Sequence, residues 1–258
     1  MRWSTRRPWL FLVLTLVASV PFYLLNRLDL SVPFGLPPSV VMIVVPFLVA
    51  GGLILADDGP AGVRRWLASA FDVRRIRRTR WLVVSLAIVP ALLLVAYAVD
   101  RVRGVAAGGS PVHPGVALLV VAVFWVGAIF EELGWTAYAT HPLQQRYGVI
   151  PAGLIIGVVW AGWHVVPYPA QGHDVGWIVL QCAITVVTRV LMGLLFRLTD
   201  ETSFPAIGFH ALLNATPELL PGGYAAFDLR VYAVLVLVAT VVIGLVSLRP
   251  GVRQQRVR

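Results

Sequence analysis

The segment VALLVVAVFWVGAIF, residues 116–130, is an uninterrupted apolar run that leads directly into Glu131-Glu132. A run of this kind predicts a membrane-crossing helix once it extends to about 20 residues. Carboxylates inside such a helix are costly, by roughly 2.5 to 3.5 kcal/mol each on insertion scales. The acidic pair therefore predicts a functional site within the membrane, and other residues must complete it.

The composition of the whole chain agrees with a membrane protein. Of 258 residues, 59% are hydrophobic and only 13% are charged, whereas soluble domains are about 25% charged. All basic side chains are arginines, and they cluster between apolar runs, as in cytoplasmic loops and unlike a nucleic-acid-binding surface. A single cysteine excludes an intrachain disulfide. We interpret residues 1–258 as one integral membrane domain, with the motif-bearing core at about 116–217.

Eight apolar segments predict an all-α, polytopic bundle of about eight transmembrane helices. They lie near residues 9–25, 40–56, 81–99, 116–140, 150–166, 175–198, 204–219 and 229–248. The seventh is too short for a simple crossing. Arginines concentrate in residues 1–8, 57–80 and 249–258, which places both termini in the cytoplasm. The segment 150–166 has a small residue at every fourth position, which predicts close packing with a neighbouring helix.

The path of the fourth segment decides whether its carboxylates can meet His164. His164 lies about fourteen residues into the next segment, so straight helices would place it deeper than Glu131. We expect the fourth helix to continue through the acidic pair to about Thr140, before a break at His141-Pro142. We also expect a water-filled cavity that opens toward the cytoplasmic side.

Polar side chains in three other apolar segments could complete the site: His164, Arg189, His210 and Asn214. His210 and Asn214 are four residues apart and share a helix face, as do Trp160 and His164. A carboxylate, two imidazoles and an amide can hydrolyse a peptide bond. The carboxylate takes a proton from water, one imidazole helps to hold that water, and an imidazole and an amide stabilise the oxyanion.

The order of these motifs resembles a known family. Glu131-Glu132, Trp160-x-x-x-His164 and His210-x-x-x-Asn214, on successive apolar segments, are similar to the CPBP intramembrane proteases, which include the type II CAAX prenyl endopeptidases. The resemblance implies an eight-helix, glutamate-dependent endopeptidase. It implies Glu131 as the general base, His164 as its partner in holding water, and His210 with Asn214 as the oxyanion hole.

One position departs from the family pattern. The first motif is usually Glu-Glu-x-x-x-Arg, and Thr136 occupies the place of that arginine, so Glu132, the supporting carboxylate, lacks its usual counter-charge. An intramembrane arginine also needs a partner. We therefore predict that Arg189 supplies the missing charge, with its guanidinium within about 8 Å of a carboxylate. Trp160 stands where phenylalanine is commoner and is a mild aromatic substitution.

Two other functions use the same residues. Glu131, His164 and His210 could form a two-His, one-carboxylate zinc site, although the resemblance favours a reaction without a metal or other cofactor. Alternatively, the polar groups could serve a non-enzymatic transporter or scaffold. The peptidase hypothesis predicts the lipid bilayer and a membrane-associated protein or peptide as partners, no nucleic acid, and an integral membrane protein of a bacterial plasma membrane.

Overall fold

The computed structural model describes residues 7–28, 38–105, 108–110 and 112–248. Ten α-helices lie within these residues: α1 (Pro8–Leu24), α2 (Val45–Ala68), α3 (Thr79–Val102), α4 (Pro114–Gly134), α5 (His141–Tyr147), α6 (Val149–Val165), α7 (Pro167–Ala170), α8 (Val175–Leu198), α9 (Phe204–Leu219) and α10 (Leu229–Ser247). Short 3₁₀ segments precede and follow α2. The all-helical prediction is confirmed, whereas the predicted cytoplasmic termini, residues 1–6 and 249–258, lie outside the described residues.

Each of the eight predicted apolar segments contains one main helix. Six helical stretches of the described chain are long and apolar enough to cross a membrane: Ser39–Phe71, Thr79–Val102, Pro114–Tyr147, Val149–Ala170, Val175–Leu198 and Leu229–Ser247. α1 has 17 residues and α9 has 16, fewer than the roughly 20 that a crossing needs. The described part of the chain therefore agrees with the predicted polytopic bundle, with six stretches long enough to cross and shorter apolar helices beside them.

The helical stretch that begins with α4 is continuous beyond the acidic pair. α4 passes into a π-helical turn at Trp135–Thr140 and then into α5. The prediction that helical structure reaches Thr140 is confirmed. The predicted break at His141-Pro142 is wrong. The wider π-helical turn directly before Pro142 accommodates a residue that has no N–H to donate to the preceding turn.

The small-residue stripe of α6 packs against α8, as predicted. A Cβ atom on Gly153 would lie 2.8 Å from Val190 Cα, and one on Gly157 would lie 2.9 Å from Val186 Cα. Real side chains do not tolerate such distances, so glycine is required at both positions. This close approach brings Trp160 of α6 next to Arg189 of α8.

Two hydrophobic cores hold the bundle together. One is built mainly from α1, α2, α4 and α6, with Trp135 and Trp163 at its centre. The other is built from α3, α8, α9 and α10, around residues such as Leu191 and Phe209. Because α4 and α6 belong to the first core, α8 to the second and α9 to both, polar side chains on these four helices meet where the cores join.

The arginine-rich segment 57–80 lies at one end of the bundle, which we call the arginine-rich end. There the loop between α2 and α3 contacts the loop between α8 and α9, since the Arg77 N–H donates to Asp200 Oδ2 at 2.8 Å. The outward faces of the helices carry large apolar side chains, for example Leu118, Val158 and Val234. Such an apolar surface suits contact with lipid rather than water.

Candidate active site

Glu132 is the most enclosed charge in the site. Its side chain is fully buried, and Arg189 donates to both of its carboxylate oxygens, at 2.9 and 3.1 Å. His210 Nδ1 lies 2.9 Å from Glu132 Oε1, and the Thr136 hydroxyl donates to Oε2. Donors from α8, α9 and the π-helical turn thus converge on one carboxylate of α4.

The predicted ion pair between Arg189 and Glu132 is present and bidentate. The guanidinium is only 1% exposed, and its Cζ lies 4.4 Å from the ring centroid of Trp160. A cation over an indole face is stabilised by the ring quadrupole. The counter-charge that family members carry on the first motif therefore comes here from α8, and the ring of Trp160 covers its other side.

Thr136 takes part in the site, although the sequence interpretation treated it only as a lost arginine. Besides its hydrogen bond to Glu132, its Oγ1 accepts from Arg189 Nη1 at 3.3 Å. The signal for this was available, because residues four apart on a helix are neighbours. A hydroxyl at this position serves both the carboxylate and the arginine that replaces the usual partner.

Glu131 has weaker and fewer contacts than Glu132. Trp160 Nε1–H donates to Glu131 Oε2 at 3.0 Å, and His210 Nε2 lies 3.9 Å from Oε1. The side chain is buried, and no arginine contacts it among the described residues. The two adjacent carboxylates therefore have different partners. Glu132 pairs with the Arg189 guanidinium, whereas Glu131 contacts the Trp160 indole N–H and the His210 imidazole.

His164 is oriented by backbone and by aromatic rings. Its Nδ1 lies 2.9 Å from the Trp160 carbonyl oxygen. A carbonyl can only accept, so Nδ1 carries the proton and the lone pair of a neutral ring is on Nε2. The ring stacks on Tyr168, with centroids 5.7 Å apart and planes inclined by 17°. Sequence reasoning did not identify Tyr168, which lies four residues after His164 and so on the same side of the chain.

A cavity of about 80 Å³ adjoins these groups, which is room for a few water molecules. Its polar lining comes from six helices and loops: Trp160, His164, Tyr168, Gln181, Thr185, Thr188, His210, Asn214, Tyr224 and Tyr232. No Asp, Glu, Lys or Arg lines it. His164, His210 and Asn214, which the sequence assigns to water and oxyanion binding, therefore share one uncharged space.

The lining of the cavity reaches toward one end of the bundle. It includes Tyr168, in α7, and Tyr224 and Phe227, between α9 and α10. His164, near the last turn of α6, lies on the same side of the cavity. The expected opening of the cavity toward the cytoplasmic side stays a prediction.

The described residues contain no group of three or more His, Cys, Asp and Glu side chains arranged to hold a metal ion. His164 Nδ1 contacts a backbone carbonyl and His210 Nδ1 contacts Glu132, which leaves Nε2 of each ring as the nitrogen that could bind a metal. The zinc-dependent version of the site stays a hypothesis for experiment.

Buried carboxylates, imidazoles and an adjoining polar cavity lie together inside an apolar helical bundle, which is typical of a membrane protein with a functional site between its helices. Comparison with known proteins defines the class further. The family model for type II CAAX prenyl endopeptidase, Rce1-like, matches residues 113–216, nearly the same segment as the motif-bearing core.

A curated relative, CAAX prenyl protease 2 of Methanococcus maripaludis, is 25% identical over 192 residues, which cover 69% of this chain and 70% of the relative. Together the two matches confirm the resemblance seen in the three motifs. The chain is therefore similar to the type II CAAX prenyl endopeptidases, which supports a membrane protease of the CPBP/CAAX type.

Proposed function

We propose that this protein is a glutamate-dependent intramembrane endopeptidase in which Glu131 activates a water molecule. The observation that carries the proposal is the position of Glu131. It lies beside His210 and Trp160, which line a polar, uncharged cavity together with His164 and Asn214. The neighbouring Glu132 is fully engaged with Arg189, so Glu131 is the carboxylate available to the reaction.

In the proposed reaction, water is held by two acceptors. Glu131 accepts one of its protons, and His164 Nε2, whose lone pair follows from the hydrogen bond at Nδ1, accepts the other. The oxygen lone pair then faces the carbonyl carbon of the scissile bond. Proton transfer to a carboxylate as the C–O bond forms lowers the barrier to attack.

The oxyanion of the tetrahedral intermediate is stabilised by His210 and Asn214. His210 donates one N–H to Glu132 and directs Nε2 toward Glu131 and the cavity. With a protonated His210, the two carboxylates, Arg189 and the imidazolium sum to zero charge, which suits a buried cluster. Hydrogen-bond donors that are already oriented toward the developing negative charge each stabilise the transition state by about 3 kcal/mol in other enzymes.

The tetrahedral intermediate then breaks down to the two products. The C–N bond breaks as the C–O⁻ bond becomes a carbonyl again, and the proton held by Glu131 passes to the leaving amine. The products are a new carboxyl terminus and a released peptide with a free amine. Glu131 returns to its charged form for the next cycle.

The substrate class rests on the family. The relative bears the name CAAX prenyl protease, so we propose a membrane-associated protein whose lipid-modified C-terminal segment is removed. The arginine-rich, lysine-free sequence suits a bacterium with a GC-rich genome, and we propose its plasma membrane as the location.

The test uses the full-length protein in lipid nanodiscs and a quenched-fluorescence peptide with an S-farnesyl cysteine followed by three residues. Glu131→Gln should lower kcat by about 10³-fold or more, in the range of general-base catalysis, and leave the melting temperature close to that of the wild type. Glu218→Gln, which changes an exposed glutamate near the end of α9, is the matched control and should remain active.

Two further arms separate the competing functions. Chelation with 1,10-phenanthroline should leave the peptidase activity intact, and metal analysis should then find no bound zinc. A loss of activity that added zinc restores would establish the zinc-dependent version. A wild-type protein that cleaves no farnesylated or unmodified membrane peptide would favour the transporter or scaffold. Retained cleavage by Glu131→Gln would contradict the assignment of the base.

A further inference from the structure

Two buried hydroxyl groups on the cavity wall have no assigned role. Thr188 of α8 is 1% exposed and Tyr232 of α10 is 3% exposed, and both residues line the cavity. Neither hydroxyl oxygen has a hydrogen-bond partner within the described parts of the chain. Buried polar groups are almost always paired, and an unpaired one costs free energy.

Thr188 differs from three other buried threonines of this bundle and shares its unpaired hydroxyl with Thr15 of α1, which does not line the cavity. The hydroxyls of Thr185, Thr199 and Thr240 each donate to the carbonyl oxygen four residues earlier, at 2.7–2.8 Å. This is the usual solution for a threonine within an apolar helix. The Thr188 hydroxyl makes no such bond, although it lies on the same helix as Thr185, and it therefore stays available to a ligand.

The chemistry of the cavity limits what that ligand is. Its lining has no cationic or anionic side chain apart from the two imidazoles, so it offers no counter-charge to a carboxylate or an amine. Hydroxyl groups both donate and accept, and apolar residues such as Leu93, Ile184 and Leu213 surround them. This combination, in a cavity this small, matches a single uncharged peptide group of a substrate backbone.

We propose that the hydroxyls of Thr188 and Tyr232 bind the substrate's peptide backbone beside the scissile bond and hold it against Glu131. This inference rests on the proposed peptidase function. Thr188 directly precedes Arg189 on α8. Arg189 pairs with the Glu132 carboxylate, and Thr188 binds the substrate. Tyr232 would bind the opposite side of the peptide from α10.

The experiment removes each hydroxyl with little change in shape and uses the farnesylated peptide and nanodisc assay. Thr188→Val and Tyr232→Phe should each lower kcat/KM by about tenfold, because a buried backbone group of the substrate loses its partner. The melting temperatures should not fall, since neither hydroxyl bonds to the protein. Thr188→Ser, which retains the hydroxyl, should restore most of the lost activity.

Thr240→Val is the matched control, because Thr240 lies on α10 with its hydroxyl bonded to Val236 and does not line the cavity. It should keep wild-type kcat/KM. Values within about twofold of wild type for Thr188→Val and Tyr232→Phe would overturn the proposal, given that a good substrate hydrogen bond is worth about tenfold. The proposal would also be overturned by a fall in melting temperature large enough to account for the lost activity. A Thr188→Ser variant as inactive as Thr188→Val would overturn it as well.

A second measurement identifies the bonded substrate group. Replacing single amides near the scissile bond by esters removes one N–H at a time. If Thr188 accepts from one of these groups, the ester at that position and Thr188→Val should be non-additive in a double-mutant cycle. Absence of cleavage by the wild-type protein would count against the proposed function, whereas wild-type cleavage with unaffected variants would count against this inference alone.

Discussion

The surroundings of Glu132 and the cavity next to Glu131 are two regions of one site with opposite properties. Around Glu132, Arg189, Thr136 and His210 all bond to the fully buried carboxylate, and only Arg189 Nε of these groups has no partner among the described residues. Around the cavity, the hydroxyls of Thr188 and Tyr232 have no partners within the described residues. A largely satisfied network holds its shape, whereas unused groups are available to bind, which fits the proposal that the first region positions and the second binds substrate.

The largest effect on either region is expected from a substitution at Arg189, and it is a loss of stability. Arg189→Leu removes the guanidinium that pairs with both oxygens of the buried Glu132 carboxylate, which should cost about 3–5 kcal/mol of stability. The measurement is a thermal melt of the purified protein in detergent. A variant as stable as the wild type would show that the ion pair does not maintain the fold.

A double variant tests whether the position of the cation matters. Adding Thr136→Arg to Arg189→Leu moves the charge to the first motif, where family members usually carry it, and the lost side chain on α8 leaves space. The melting temperature should recover by about half or more, because the pair replaces a lone buried charge. No recovery would mean that the site accepts the cation only from α8.

The cavity side should respond in rate rather than in stability. Asn214→Ala should lower kcat by about 10²-fold, the scale of one oxyanion donor, while the melting temperature stays the same because the amide bonds to no described residue. Single-turnover kinetics with the farnesylated peptide separate the chemical step from binding. An unchanged kcat would remove Asn214 from the oxyanion hole.

Trp160 connects the two regions, since its indole bonds to Glu131 and its ring covers Arg189. Trp160→Phe keeps the ring and removes the N–H donor, and phenylalanine is the commoner residue in the family. We expect about a tenfold decrease in kcat/KM, the value of one hydrogen bond to a charged group. A larger loss together with a lower melting temperature would mean that the indole mainly supports Arg189.

The smallest effect is expected at the arginine-rich end, outside the site. A hydrogen bond from His141, at 2.8 Å, lowers the pKa of Glu201. A depressed carboxylate pKa stabilises the fold above the ordinary value of 4.5, and this contribution is lost as the pH falls below it. Glu201→Gln should therefore destabilise by about 1 kcal/mol or less near neutral pH, since the group is partly exposed.

Melting curves of Glu201→Gln and the wild type at several pH values check this prediction. The difference between them should shrink as the pH is lowered through 4.5 and beyond. A difference that grows toward acid would contradict the assigned sign. The loop has further interest because Asp200 and Glu201 both adopt positive φ, 56° and 58°, which non-glycine residues rarely do.

Much of the architecture was predictable, because helices that cross a bilayer must be long and apolar and are therefore visible in the sequence. Apolar runs located all the main helices, and the glycine stripe of α6 predicted its close packing. The passage through His141-Pro142 was not predictable, because a π-helical turn depends on how the stretch packs against its neighbours rather than on local propensity. The set of residues that line the cavity likewise depends on how six helices and loops meet, which no single segment encodes.

For the site, the sequence by itself determined the types of groups and their spacing: two adjacent carboxylates, histidines four residues from Trp160 and from Asn214, and an intramembrane arginine in need of a partner. Their catalytic roles remain predictions. Only the tertiary structure decided that Arg189 reaches Glu132 and that Thr136 supports both. It also made the two glutamates unequal and left Thr188 and Tyr232 unpaired. The physical reason is that sequence spacing sets the face of one helix, whereas pairing between helices depends on their relative depth and rotation.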